Sequence, residues 1–159
     1  MSKQADAVLK YAKKWADEKY KEGPNNDTVF GKWIGLNNQP WCCAFVVWCF
    51  SAAKVLDKIT KTASCEVLEA WARKQNLVVN PITVQAGDVL LYDFHNEGKS
   101  VHVGIATGPM DVKSHKIPTV EGNTVADTAQ GSQVNGDGVY YKKRLVTTVR
   151  VAFRPKWDE

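Results

Sequence analysis

Residues 40–50 read PWCCAFVVWCF, and this stretch determines how the rest of the chain is interpreted. After the proline it is almost entirely apolar, and it stays rich in good helix formers as far as Lys54. Proline is well tolerated at the first helical position, so the stretch predicts a helix that begins near Pro40 or Trp41. Because the segment is apolar throughout, we expect this helix to be buried.

Cys42 stands at the start of this predicted helix. A thiol in a first helical turn lies at the positive end of the helix dipole and near unpaired backbone N–H groups, and both favour thiolate over thiol. A nucleophilic cysteine requires that, so Cys42 is the candidate nucleophile. The alternative is a buried structural cysteine, which is the interpretation that we keep for Cys43, Cys49 and Cys65. Cys43 is displaced by about 100° round the helix from Cys42.

Two further helices are predicted on either side of this segment. Upstream, from Ala5, apolar residues recur at three-and-four spacing, which predicts an amphipathic helix with lysines on its other face. The run GPNND at residues 23–27 ends that helix, and a loop follows to about Pro40. Downstream, Ser64 is a candidate cap for a helix through about Arg73, with its inward residues at Val67, Leu68 and Trp71.

After residue 81 the chain is rich in β-formers. Gly, Asn and Pro divide it into predicted strands at 89–94, 101–107, 119–123, 139–145 and 148–153. Helices followed by strands, without alternation, predict an α+β fold in which N-terminal helices pack on an antiparallel sheet. A length of 159 residues suits one domain, residues 1–159, better than two.

Composition narrows the classes of function. The formal net charge is +4, and the basic residues are spread along the chain apart from one short run at 142–144. This mild cationic bias suits an anionic polymer and is too weak to indicate nucleic acid. The 4 cysteines form no paired C-x-x-C motifs, so a zinc framework is not predicted and we expect reduced thiols.

His102 is the candidate base. On a strand, His102, Gly104 and Ala106 share one face, opposite to the β-branched residues between them. An imidazole flanked by small residues leaves room for a helix end and a substrate to come close. The alternative is a strand histidine with a structural role. His95 and His115 stand among polar residues and are predicted to be solvated.

Glu121 and Asn123 complete the candidate set. They flank Gly122 at the end of another predicted strand, where residues two apart share a face. A carboxylate and an amide beside His102 would fix the tautomer and orientation of the ring, the third role in a Cys-His catalytic set. The alternative is an ordinary turn at a strand end. A thiol on a helix, followed by a base and its orienting group on strands, is the order of a papain-like architecture.

These segments resemble the cysteine, histidine-dependent amidohydrolase/peptidase (CHAP) family, and the resemblance is closest to phage endolysins and related wall hydrolases of Gram-positive systems. It rests on PWCCAFVVWC at 40–49, GDV at 87–89, HVGI at 102–105 and EGNT at 121–124. It runs from the loop at Asn25 to Pro155, so it covers most of the chain.

The resemblance implies a papain-like fold and hydrolysis of amide bonds in peptidoglycan. By motif, Cys42 would be the nucleophile and His102 the general base and later acid. Glu121 would orient the imidazole, and Asn123 would polarise or position the pair. No cofactor is required. One departure from the family is Cys43, where relatives often have a small residue.

Calcium is a second point of departure. Some relatives bind it through an acidic loop ahead of the cysteine, whereas this loop offers only Asp27 with Asn25 and Asn26. Calcium takes six to eight oxygen ligands, and this loop offers too few of them, so we do not expect calcium.

The sequence leaves several interpretations of the function open. Within the family, an N-acetylmuramoyl-L-alanine amidase is favoured over an endopeptidase of the stem peptide or cross-bridge. An enzyme of the NlpC type, usually with histidine as third residue, a non-catalytic wall-binding module and a cytosolic thiol protease or deamidase are the competitors. No signal peptide and no apolar stretch of about 18 residues is present, so we expect a protein that is made in the cytoplasm, does not insert into a membrane, and is released by another factor. We also expect a monomer.

Overall fold

The four α-helices of the described residues precede all six strands of the sheet. In a computed structural model, which describes residues 2–126 and 136–158, the α-helices are α1 Lys3–Asp17, α2 Val29–Ile34, α3 Cys42–Ala52 and α4 Cys65–Lys74. Short 3-10 turns lie at Pro24–Asn26, Leu56–Lys58, Pro81–Thr83 and Val146–Thr148. The helices predicted around residues 5, 41 and 64 are therefore present.

The strands of the described residues form one antiparallel sheet. They are β1 Val78–Val79, β2 Val89–Tyr92, β3 His102–Ala106, β4 Lys116–Thr124, β5 Gly138–Leu145 and β6 Val149–Phe153. The strand order is β1-β6-β2-β3-β4-β5, and neighbouring strands run antiparallel. The prediction of an α+β fold with an antiparallel sheet is confirmed, and every predicted strand overlaps an observed one.

Two local predictions are wrong. The loop predicted up to Pro40 contains α2, because Thr28 caps that helix, its Oγ1 accepting from Gly31 N at 2.9 Å. Gly35 then ends the helix at a φ of 82°, a conformation that suits glycine. In α4, Val67 is 51% exposed, since the buried stripe follows the i, i+4 pair Leu68 and Ala72.

The core is built around α3. Most residues of α3 are buried, and the start of the helix approaches β4 closely at Gly122, where an added Cβ would lie 2.7 Å from Trp41 Cζ3. Phe30 of α2 stacks on Trp41 at 5.5 Å between ring centroids and makes edge contacts with Phe45 and Trp48. These aromatic contacts fix the position of the first turn of α3, and hence of Cys42. None of the helices in the described ranges has the length and apolar character needed to cross a membrane.

Candidate functional site

Cys42 is the first residue of α3. Trp41 precedes it as N-cap, and the first helical bond runs from Phe45 N to Trp41 O at 2.9 Å. The backbone N–H groups of the first turn therefore have no acceptor inside the helix. Cys42 is only 5% exposed, yet its side chain lines a groove of about 310 Å³ together with Pro40, Cys65 and Val101. The predicted start of the helix is confirmed, and Cys42 lies at the wall of this groove.

His102 begins β3 and is completely buried. Its Nε2 is 2.9 Å from Oε1 of Glu121, and its ring stacks on Tyr92 at 5.8 Å between centroids. The imidazole and the Cys42 thiol are close enough that each shifts the pKa of the other. Within the described residues, Nδ1 of His102 has no hydrogen-bond partner of standard geometry. Because Nε2 is occupied by Glu121, Nδ1 is the ring nitrogen left to exchange a proton.

The neighbours of His102 make the ring a strong base. Burial alone would lower the pKa of the ring, because the imidazolium loses its hydration. Hydrogen-bonding and charge interactions with Cys42, and then with Glu121, outweigh burial and raise the pKa of His102 to about 9. The ring therefore retains a proton readily once it has accepted one.

The neighbours of Cys42 shift the pKa of its thiol in opposite directions. A hydrogen bond with Cys65, whose Sγ lies 3.9 Å from that of Cys42, raises the pKa of the Cys42 thiol, and burial raises it further. The hydrogen bond and charge of His102 lower that pKa, but it stays well above the ordinary thiol value. His102 is thus the neighbour that favours the thiolate, and Cys65 is the one that opposes it.

Glu121 is held by a dense set of donors. Arg144 donates from Nε to both carboxylate oxygens at 3.1 Å and from Nη2 to Oε1 at 2.5 Å. Tyr92 OH and Thr119 Oγ1 donate to Oε2 at 2.8 and 2.6 Å. Burial would raise the pKa of Glu121, but His102 and Arg144 hold it far below its usual range. The carboxylate is therefore a fixed negative charge beside the imidazole.

The space that glycine leaves beside His102 on β3 is filled by a side chain of the neighbouring strand. A Cβ at Gly104 would lie 2.5 Å from Cγ of Glu121, so the space on that face of β3 is filled by the Glu121 side chain. The close approach of α3 occurs instead at Gly122, where an added Cβ would lie 2.8 Å from Cβ of Phe45. Glu121 therefore fills the space at Gly104, while the start of α3 comes close to the imidazole at Cys42; access for a substrate stays a prediction.

Asn123 lies in β4, next but one to Glu121, and is fully buried. The register with β5 is irregular between Glu121 and Thr124, and Asn123 has a φ of 55°, a left-handed conformation that asparagine tolerates well. Its backbone carbonyl oxygen accepts a hydrogen bond from Gly136 N at 2.9 Å. Residues 121–123 thus form a bulge within the strand and not a turn at its end. The positioning role of Asn123 stays a prediction.

Four residues at this site were not recognised in the sequence: Tyr92, Thr119, Arg144 and Cys65. Arg144 belongs to the basic run at 142–144, whose members at 142 and 144 are buried while Lys143 is exposed. This alternation of burial along β5 is seen only in the structure, because residues 142–144 are all basic in the sequence. The sequence predicts a buried structural role for Cys65, but the residue is partly exposed and contacts Cys42. His95 and His115 are exposed, as predicted.

The loop considered for calcium is occupied by internal contacts. Oδ1 of Asp27 accepts from Asn37 Nδ2 at 2.7 Å and pairs with Lys32 Nζ at 3.3 Å. Over residues 2–126 and 136–158, no group of three or more His, Cys, Asp or Glu side chains is arranged to hold a metal ion.

Comparison of the chain with protein-family models, with curated proteins and with solved structures found no match.

Proposed function

We propose that this chain is a thiol-dependent hydrolase of the CHAP type, with a papain-like arrangement, that cleaves amide bonds of bacterial peptidoglycan. One observation carries the proposal: a cysteine at a helix start, at the wall of a groove, interacts with a buried imidazole whose other ring nitrogen, Nε2, is hydrogen-bonded to a carboxylate. A nucleophile, a base and an orienting group in this order form a Cys-His catalytic set.

The proposed reaction begins from the neutral form of His102, in which Nδ1 carries no proton and takes the proton of the Cys42 thiol. Glu121 stabilises the imidazolium that results, in line with the raised pKa of the ring. The thiolate adds to the carbonyl carbon of the amide, and the N–H groups of the first turn of α3 stabilise the oxyanion. His102 then gives its proton to the leaving amine, and water hydrolyses the thioester.

The carboxylate on His102 favours this reading over an NlpC-type site, in which a histidine usually takes the third role. It also weighs against a non-catalytic wall-binding module, which needs no thiol beside an imidazole. A thiol protease or deamidase that acts on proteins would use the same geometry. The choice of peptidoglycan therefore rests on the sequence resemblance, and we take the protein to be a monomer without a metal cofactor.

The test compares two cysteine variants on purified peptidoglycan. Cys42→Ser should abolish hydrolysis, because a serine hydroxyl is not activated by the same pair. Cys43→Ser is the matched control: Cys43 is buried and its Sγ donates to Thr62 O at 3.2 Å, a bond that a serine hydroxyl can also make. The proposal is refuted if Cys42→Ser hydrolyses peptidoglycan at an unchanged rate, or if both variants lose hydrolysis to the same extent.

The bond that is cut can be read from the products. We propose an N-acetylmuramoyl-L-alanine amidase, which releases free glycan strands and peptides with an intact L-alanine N-terminus. An endopeptidase leaves the stem peptides attached to the glycan. Mass spectrometry of the soluble fragments distinguishes the two outcomes, and a folded protein as substrate in a parallel assay tests the protease alternative.

A further inference from the structure

Cys65 lies beside the proposed nucleophile and has no role in the mechanism above. It is the first residue of α4, as Cys42 is the first residue of α3, and their sulfurs are 3.9 Å apart. Both side chains line the same groove. Cys43 and Cys49 are fully buried, and neither lines this groove.

We propose that Cys42 and Cys65 form an oxidisable thiol pair, which a hydroperoxide converts into an internal disulfide. The disulfide removes the free sulfur of Cys42, so it reversibly stops hydrolysis. The covalent chemistry rests on the position of the two thiols, and only the loss of hydrolysis rests on the proposed function.

The oxidation takes place in two balanced steps. The Cys42 thiolate attacks one peroxide oxygen, so that an S–O bond forms, the O–O bond breaks, and the alkoxide or hydroxide leaves with the proton held by His102. Cys42 is then a sulfenic acid, and the hydroperoxide has been reduced to an alcohol or water. Cys65 next attacks the Cys42 sulfur: an S–S bond forms, the S–O bond breaks, and the hydroxide leaves with the Cys65 proton as water.

The geometry assigns a different part to each sulfur. Cys42 has His102 beside it to accept its proton, so it supplies the first thiolate. The pKa of the Cys65 thiol is well above the ordinary value: the bond to Cys42 lowers it, whereas Cys43, burial and Glu66 raise it. Since the pKa of the Cys42 thiol is raised as well, the order follows from His102: the sulfur beside the imidazole reacts first, and Cys65 acts second, on a sulfur already activated as a sulfenic acid. From 3.9 Å the two sulfurs must approach by about 2 Å to reach bonding distance.

The experiment treats the purified protein with hydrogen peroxide and follows intact mass and peptidoglycan hydrolysis together. We expect the protein to lose two hydrogen atoms in mass, and hydrolysis to fall in proportion to the oxidised fraction. Dithiothreitol should restore both. The Cys43→Ser variant is the matched control and should form the same disulfide, which also excludes Cys43 as the partner of Cys65.

Cys65→Ser should behave differently, because it lacks the second thiol. Peroxide should carry its Cys42 to the sulfinic acid, with a gain of two oxygen atoms that dithiothreitol does not reverse. The proposal is overturned if the natural sequence gains oxygen without losing hydrogen, or if Cys43→Ser no longer forms the link. If Cys65→Ser does not fold, fragment masses that locate the link in the natural sequence decide the matter. If the protein does not hydrolyse peptidoglycan, the mass change still tests the thiol pair.

Discussion

Two largely buried glutamates, Glu121 on β4 and Glu69 on α4, lie at the centres of similar clusters. Glu69 accepts from Ser100 Oγ at 2.6 Å, from Arg150 Nε at 3.0 Å and from Arg73 Nε at 2.9 Å. Glu121 likewise accepts from hydroxyl groups and from an arginine. In both clusters burial would raise the pKa of the carboxyl, and the donors lower it.

The clusters differ in one partner. Every donor to Glu69 is a hydroxyl or an arginine, and neither changes its charge near neutral pH. Glu121 also contacts His102, whose pKa of about 9 allows it to gain and lose a proton. We therefore infer that the Glu69 cluster fastens α4 to the sheet, whereas the Glu121 cluster fastens a group that can move a proton.

The largest expected effect is a difference in hydrolysis rate between variants of the two glutamates. Glu121→Gln should lower hydrolysis by about 10³–10⁴-fold, because a neutral amide can hold the ring but cannot stabilise the imidazolium. Glu69→Gln should hydrolyse at nearly the rate of the natural sequence. The comparison is made by initial rates on purified peptidoglycan, with circular dichroism as a check on folding. Similar losses in the two variants would remove the distinction between the clusters.

The next effect concerns stability. Arg144→Ala should lower the free energy of unfolding by about 3–5 kcal/mol, since it leaves the buried Glu121 charge without its main partner. Arg73→Ala should cost less than about 1 kcal/mol, because the Arg73 side chain is 52% exposed and that of Arg144 only 7%. Urea unfolding of both variants gives the two values. A cost at Arg73 equal to that at Arg144 would contradict this reading of the burial.

The elements of the site could be predicted from the sequence because each leaves a local pattern. The apolar run after Pro40 predicted the helix start, and β-forming runs divided by Gly, Asn and Pro predicted the strands that carry His102 and Glu121. The contacts that complete the site are not local. Arg144 meets Glu121 only through the pairing of β4 with β5, and Cys65 meets Cys42 only through the packing of two helix starts.

The glycines illustrate the same limit. The sequence predicted that the space beside His102 is needed, but it could not tell what fills it. Gly104 makes room for Glu121 from the neighbouring strand, while Gly122 makes room for Trp41 and Phe45 on α3. Which side of a strand faces which neighbour depends on the register and packing across the sheet, and the sequence of a single strand does not determine either.

A smaller effect tests the charge of Glu121 directly. In Glu121→Gln the pKa of His102 should fall from about 9 by at least about 1 unit, because the anion that favours the imidazolium is gone. The sign is fixed by that charge: a ring without an anionic partner releases its proton at lower pH. Nuclear magnetic resonance of the imidazole nitrogens across neutral and alkaline pH measures the change. Glu69→Gln should leave the titration of His102 where it was, and a shift there would mean that the clusters are coupled.

The smallest effect should be equal in the two clusters. Thr119→Val removes the hydroxyl donor to Glu121, and Ser100→Ala removes the one to Glu69; both hydrogen bonds are 2.6 Å long. Each glutamate keeps its arginine, so each variant should lose about 1 kcal/mol of unfolding free energy in urea titrations. The pKa of His102 should stay near 9 in both, because neither substitution removes a charge. If Thr119→Val instead lowers that pKa as far as Glu121→Gln does, the hydroxyl orients the carboxylate toward the ring, and the negative charge alone does not account for the basicity of His102.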